Sequence, residues 1–252
     1  MSFEQVKYDV AVANRVLSEI GLCTGVTMAV GHASLRVPEE PDRFVIKGRG
    51  YEMDALAAMR PEDMVVCDLE GNRIEARPGI TQCFEVKLHS CIYRDHPEVR
   101  SVVHVHPQFT ILMTLNGAQL RPMRNDGAGT VRKPLPVYPH NKLIQSDQDG
   151  SEVAALLGDG KIVLLDGHGI ATTGNSLEES VMAAYQLEAQ AHSNWAAMCA
   201  FGPNYRSIPD EYFDEPRERL VDLPHFKESM QGVQPRVAGV WNYYTEAAAR
   251  GL

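Results

Sequence analysis

The chain has 252 residues, 44% of them hydrophobic, which is enough to bury the core of one large domain or two small ones. Its 24 basic and 33 acidic residues give a formal net charge of -9 without a basic run, which argues against nucleic acid and an anionic membrane surface as partners. There is no signal-peptide pattern, no apolar run of membrane-spanning length and no CxxC pair among the five cysteines, so we expect a cytoplasmic protein without a disulfide framework or a cysteine zinc cluster.

Hydrophobic spacing divides the chain into helices and strands. The predicted elements, in chain order, are a helix over 3–20, strands over 28–37 and 43–47, a short helix over 54–59, a hairpin of strands 64–68 and 73–76, a helix capped by Thr81 and ending at Tyr93, a strand over 102–107, a helix over 149–157, strands over 161–166 and 170–173, and a long helix opened by a capping box of Ser176 and Glu179. Prolines interrupt the charged stretch after Phe201, so residues 201–252 are predicted to form an extension that packs on the core or on a neighbouring subunit.

Two histidines stand one residue apart in the predicted strand over 102–107. Alternate side chains of a strand share a face, so His104 and His106 point the same way. Their roots are then about 6 to 7 Å apart, which allows two ring nitrogens to reach one metal ion at about 2.1 Å each. The alternative is a half-buried strand whose histidines bond to neighbouring groups or water.

Two further residues fit a metal site. Glu85 lies in the helix before this strand, and His168 stands between Gly167 and Gly169, where the missing side chains let the backbone approach an ion closely. Three neutral imidazoles and one carboxylate suit one divalent ion per subunit, such as zinc, manganese, iron(II) or cobalt.

The order of these short motifs resembles the class II aldolase and adducin family. The segments that carry the resemblance are Gly31-His32-Ala33-Ser34-Leu35-Arg36, Glu85-Val86-Lys87-Leu88-His89, His96-Pro97-Glu98-Val99, His104-Val105-His106-Pro107 and Gly167-His168-Gly169. Single HxH pairs arise by chance, but all these segments in this order and on these predicted elements do not.

The resemblance implies a fold, an assembly and a metal site. The expected fold is α/β, with three α/β/α layers around a central, mainly antiparallel sheet, in a metal-binding domain over residues 1–200 of a homotetramer. The family's metal ligands correspond here to Glu85, His104, His106 and His168, and the glutamate can act as an acid or base in aldolase members. The catalytic candidates are therefore Glu85 and His89, four residues further on.

Departures from the sugar-phosphate aldolases of the family point to another substrate. His32 replaces the usual asparagine, Arg49 stands near the expected serine-glycine pair, and Phe84 replaces a serine that would bind phosphate. Lys47 and Arg49 could instead pair with a substrate carboxylate, while His32, Ser34 and Phe84 would line the pocket. This variant resembles the decarboxylase branch, which includes hydroxy-methylpyridine-dicarboxylate and dihydroxyphthalate decarboxylases.

Four functions follow from the resemblance as alternatives. The main hypothesis is a metal-dependent carbon-carbon lyase that decarboxylates a hydroxylated benzene or pyridine carboxylate, with Glu85 or His89 delivering the proton. The metal ion that stabilises negative charge on a substrate oxygen during decarboxylation would equally serve retro-aldol cleavage of a non-phosphorylated hydroxy-ketoacid or sugar derivative. The others are an iron-dependent oxygenase of an aromatic acid and a non-catalytic adducin-like module, although adducins have lost metal ligands that this chain retains.

Overall fold

The computed structural model describes residues 3–214 and 236–252. The helices are α1 Phe3–Glu19, α2 Val86–Asp95, α3 Gln108–Leu115, α4 Ala128–Val131, α5 Asp147–Leu157, α6 Leu177–Phe201, α7 Glu211–Asp214 and α8 Arg236–Ala248. Among the described helices, none combines the length and apolar character needed to cross a bilayer.

A nine-stranded sheet forms the centre of the molecule. Its strands are β1 His32–Arg36, β2 Arg43–Arg49, β3 Met64–Asp68, β4 Arg73–Glu75, β5 Thr81–Gln82, β6 Ser101–Val105, β7 Val137–Tyr138, β8 Ile162–Leu165 and β9 Gly169–Gly174. The order across the sheet is β4-β3-β2-β1-β6-β9-β8-β7, and β5 pairs with the end of β2. The pairings are antiparallel except for β7 with β8, so the sheet is mainly antiparallel as expected.

Helices cover both faces of the sheet. On one face, α1, α6 and the end of α8 bury an apolar core that includes Val10, Leu17 and Val181. On the other face, α2 and α5 bury a second core that includes Leu88 and Val153. This arrangement confirms the predicted three-layer α/β/α architecture.

Several predicted boundaries need correction. Strand β1 begins at His32 because Gly31 has a φ of +120°, which ends the extended conformation on that side. Thr81 does not cap a helix, since Thr81 and Gln82 pair with Arg49 and Gly48 as strand β5. Helix α2 therefore begins at Val86, and Glu85 stands at its N-cap position with non-helical φ and ψ of -105° and 32°.

The C-terminal region is described only in part. Residues 215–235, which include Pro216, Pro224 and Pro235 of the predicted extension, lie outside the described residues. Helix α8 contacts α1 and α6, and its Trp241 and Tyr244 pack against the first core while Ala248 is buried in it. The boundary of the extension at residue 201 stays a prediction, because α6 runs through Phe201 without a break.

Candidate metal centre and active site

His104 and His106 meet at the end of strand β6. The two Nε2 atoms are 2.9 Å apart, although His106 follows the last strand residue. Nδ1 of His104 lies 2.9 Å from the carbonyl oxygen of Ile170 and donates its proton there, which leaves a lone pair on Nε2. Burial and then the neighbouring His104 lower the pKa of His106 to about 3, so its ring is neutral near pH 7.

The turn between β8 and β9 brings His168 to the same point. Its ring centre is 5.1 Å from that of His104 and 4.9 Å from that of His106. A side chain on Gly169 would meet the carbonyl oxygen of Val105 at 2.5 Å and the His106 ring at 2.7 Å, so this position requires glycine. Both ring nitrogens of His168 are buried without a hydrogen-bond partner among the described residues.

Glu85 completes the cluster from the N-terminus of α2. Its Oε2 is 3.2 Å from Nε2 of His104, and its Oε1 is 3.6 Å from Nε2 of His168 and accepts a hydrogen bond from the backbone N–H of Ile144 at 3.0 Å. Burial raises the pKa of Glu85, but the interactions with His104 and His168 outweigh it, so the pKa lies well below its ordinary range. The carboxylate is thus ionised, and the positive end of the α2 dipole adds to its stability.

A second cluster joins two basic side chains at the C-terminal end of β2. Asp54 binds Lys47 through Oδ1, at 2.7 Å, and Arg49 through Oδ2, at 3.1 Å. Lys47 also donates to the carbonyl oxygen of Ala29, and burial lowers its pKa although the bond to Asp54 raises it. The guanidinium carbon of Arg49 is 4.5 Å from the centre of the exposed Phe84 ring, and its buried Nε has no partner among the described residues. Arg49 therefore keeps a free donor.

The remaining predicted residues lie behind the metal ligands. His32 pairs with His104 in the register of β1 and β6, and the two ring centres are 5.2 Å apart. Nδ1 of His32 is 2.8 Å from Nε2 of His89, whose Nδ1 is 2.7 Å from Oγ of Ser34. His89 is fully buried with both nitrogens occupied, so any part it takes in a reaction passes through His32.

A cavity of about 810 Å³ opens beside His106. Its walls include the exposed turn at Gly25–Thr27, the start of α3, and Glu188 and His192 of α6. Arg124 also lines it, and within the described part of the chain no acceptor pairs with its guanidinium. The cavity thus has a metal-ligand candidate, His106, and an arginine, Arg124, in its lining.

Comparison with known proteins places this arrangement in a family. Residues 8–195 match the model of the class II aldolase and adducin N-terminal domain. The chain belongs to the class II aldolase and adducin family. It is 31% identical over 208 residues to the 3,4-dihydroxyphthalate decarboxylase of Arthrobacter keyseri, covering 80% of this chain and 82% of the relative. The 3,4-dihydroxyphthalate decarboxylase of Rhodococcus jostii (strain RHA1) is 33% identical over 206 residues, which cover 79% and 83% of the two chains.

Solved structures of the family share the fold. An aldolase II superfamily protein from Pseudomonas syringae superposes with a TM-score of 0.78 at 20% identity, over 98% of this chain and 93% of that one. L-fuculose 1-phosphate aldolase from Glaciozyma antarctica PI12 gives a TM-score of 0.72 at 20% identity, over 97% and 88%. At this identity the likeness supports the fold alone.

The residues present fit the divalent ion that class II aldolases use. One ligand atom from each of Glu85, His104, His106 and His168 lies within 4.8 Å of the others. The facing Nε2 atoms of His104 and His106 and the unpartnered nitrogens of His168 are poorly satisfied by protein alone, and one cation would satisfy both Nε2 atoms and one nitrogen of His168.

The structure also shows functional candidates that the sequence did not indicate. Asp54 pairs with Lys47 and Arg49, Tyr93 extends the hydrogen bonds of Ser34, and Arg124 faces the cavity. The four-residue step from His89 to Tyr93 in α2 was a usable signal for Tyr93. The other two depend on long-range packing that no local pattern reports.

Proposed function

We propose that this member of the class II aldolase family is a divalent-metal-dependent lyase that decarboxylates a hydroxylated aromatic carboxylate. The observation that carries the proposal is the buried cluster of Glu85, His104, His106 and His168 in a chain 31% and 33% identical to two 3,4-dihydroxyphthalate decarboxylases. Because the sequence also resembles aldolases, retro-aldol cleavage is the outcome that the test must separate from decarboxylation.

The metal ligands are prepared for an ion by their own hydrogen bonds. Ile170 fixes the tautomer of His104, and Ile144 holds Oε1 of Glu85, so both ligand atoms are oriented before an ion binds. A bound divalent cation would supply electrophilic stabilisation to a substrate oxygen that gains negative charge as the carbon-carbon bond breaks.

The chain's own groups would bind the substrate carboxylates. The Arg49 guanidinium could pair with a carboxylate, and its stacking on Phe84 provides an apolar plane suited to an aromatic ring. Lys47 and Arg49 share Asp54, so two positive charges meet one negative charge and the group keeps a net charge of about +1.

Glu85 is the first candidate for the group that returns a proton to the ring carbon. Its carboxylate lies among the ligand candidates, while His89 is separated from them by His32. The ionised carboxylate could take the proton that the substrate hydroxyl gives up and deliver it to the ring carbon once the carbon-carbon bond has broken. This role of Glu85 and the positioning role of His89 are parts of the proposal.

The test is a product analysis on metal-loaded protein. Protein reconstituted separately with zinc, manganese, iron(II) or cobalt is incubated with 3,4-dihydroxyphthalate, and carbon dioxide and the phenolic product are measured. We expect stoichiometric release of both, loss of activity and bound metal in His104→Ala, and retention of both in the control His140→Ala, which changes an exposed histidine.

Other products would overturn the proposal. Aldehyde release from a hydroxy-ketoacid without carbon dioxide from aromatic acids would identify an aldolase. Oxygen consumption that depends on iron(II) would identify an oxygenase. Protein that binds no divalent ion and is unaffected by His104→Ala would indicate a non-catalytic module.

We also propose that the protein is a cytoplasmic homotetramer in which residues 201–252 form an extension. The support is the family resemblance and the packing of α8 on α1. Light scattering of the full chain tests the assembly, and a mass of one or two chains would contradict it.

A further inference from the structure

A chain of hydrogen bonds runs through the interior and ends at His32. Oη of Tyr93 is 2.7 Å from Oγ of Ser34, Oγ of Ser34 is 2.7 Å from Nδ1 of His89, and Nε2 of His89 is 2.8 Å from Nδ1 of His32. The four residues are all buried, so water does not compete for these bonds.

His89 is fully buried and its ring nitrogens bond to Ser34 and His32, neither of which is an anion, so its ring is neutral and carries one N–H. Oγ of Ser34 also lies 3.4 Å from the carbonyl oxygen of Val102, which is longer than a normal O–H···O bond, so the hydroxyl proton goes to one of the two partners at 2.7 Å. Two arrangements of the protons then remain. In one arrangement Tyr93 donates to Ser34, Ser34 donates to Nδ1 of His89, and Nε2–H of His89 donates to Nδ1 of His32. In the other, every one of these bonds is reversed.

Two contacts favour the first arrangement. The guanidinium carbon of Arg36 is 4.8 Å from the centre of the Tyr93 ring, and this cation strengthens the phenol as a donor. In the reversed arrangement Tyr93 must donate to the carbonyl oxygen of Arg100, which is 3.5 Å away and gives a weak bond. The phenol therefore donates to Ser34. Ser34 then donates to Nδ1 of His89, and Nε2–H of His89 donates to Nδ1 of His32.

We propose that Tyr93, Ser34 and His89 are positioning residues that hold His32 in its Nε2–H tautomer, as a neutral donor for a carboxylate oxygen of the substrate. With Nδ1 occupied as an acceptor, the ring proton of His32 stands on Nε2, which has no partner among the described residues. The pairing of His32 with His104 places this ring beside the metal ligands. The identity of the ligand rests on the proposed function, whereas the tautomer does not.

Nitrogen NMR tests the tautomer without any catalytic assay. Long-range proton-nitrogen spectra of protein labelled with ¹⁵N-histidine distinguish Nε2–H from Nδ1–H rings, and single histidine variants assign the signals. We expect Nε2–H for both His32 and His89, and mixed tautomers in Ser34→Ala. Ser101→Ala is the matched control, because this buried serine of β6 bonds to Ser180 and to the backbone of Ser34 instead. Nδ1–H signals for both rings in the wild-type protein would overturn the proposal.

Phthalate binding tests whether Nε2–H of His32 donates to a carboxylate of the ligand. Calorimetry on the zinc-loaded protein is expected to show affinity reduced about tenfold in Ser34→Ala, the loss typical of one hydrogen bond to a charged group. Zinc content should be unchanged, as should phthalate affinity in Ser101→Ala. Equal affinity in Ser34→Ala and wild type would overturn the donor role of His32. Wild-type protein that binds zinc but not phthalate would overturn that role and the proposed substrate class, while a Nε2–H signal would still establish the tautomer.

Discussion

The carboxylate of Glu188 caps helix α3 through Thr110. Its Oε2 accepts hydrogen bonds from the backbone N–H of Thr110 at 2.9 Å and from the hydroxyl at 2.7 Å, while Oε1 accepts from the backbone N–H of Phe109 at 2.9 Å. Helix α3 begins two residues after His106, so α6 fixes the segment that carries a metal-ligand candidate. An anion here also complements the helix dipole.

Glu188→Gln is expected to lower the free energy of unfolding by about 1 to 2 kcal/mol. The amide keeps the volume but turns an N–H donor toward one of the two backbone N–H groups of α3. Urea unfolding measures the loss, and Glu178→Gln on the same helix is the control. Equal stability of the Glu188 variant and the wild type would show that the cap contributes nothing.

Arg49→Lys is expected to raise KM for an aromatic carboxylate about tenfold and to leave kcat nearly unchanged. Lysine can keep a charge near Asp54, but it lacks the planar fork and the stacking on Phe84. Steady-state kinetics with the metal-loaded enzyme provide the measurement. Arg43→Lys is the control, because Arg43 starts the same strand and pairs with Glu40. A fall in kcat with KM unchanged would contradict a binding role.

Much of this molecule could be predicted from local sequence patterns. Regular apolar spacing identifies α1 and α6. The metal-ligand candidates are recognisable from their residue types and their order along the chain, which can be read without knowing how the chain packs. Glu85 was misplaced in a helix because Thr81 is a favourable cap, and only the pairing of Thr81 with Arg49 across the sheet overrides it. Helix α3 was missed because its apolar residues lack a clear one-sided pattern.

His168→Leu is expected to abolish the stabilisation that metal gives the protein. In the wild type, both ring nitrogens of His168 are buried without a hydrogen-bond partner among the described residues, a cost of about 1 to 3 kcal/mol for an unsatisfied group. Leucine removes this cost, so the metal-free variant should be at least as stable as the metal-free wild type. Thermal unfolding with and without zinc is the measurement.

His96→Leu provides the control for this comparison. His96 lies outside the cluster and its Nε2 bonds to the carbonyl oxygen of Ala154 at 2.8 Å. Its replacement should lower Tm but keep the rise on adding zinc. A zinc-dependent rise of wild-type size in His168→Leu would remove His168 from the metal centre.

Asn14→Leu is expected to destabilise the fold by about 2 kcal/mol and to weaken the site with it. Oδ1 of this buried α1 residue accepts the backbone N–H of Ala33 at 3.0 Å, and Nδ2 donates to the carbonyl oxygen of Val10 at 2.8 Å. Leucine has a similar volume but leaves the Ala33 N–H without an acceptor. Because Ala33 lies between His32 and Ser34, its anchor fixes the position of both along β1. Urea unfolding and the ¹⁵N-histidine spectrum measure the two effects, and a normal spectrum in a destabilised variant would confine Asn14 to stability.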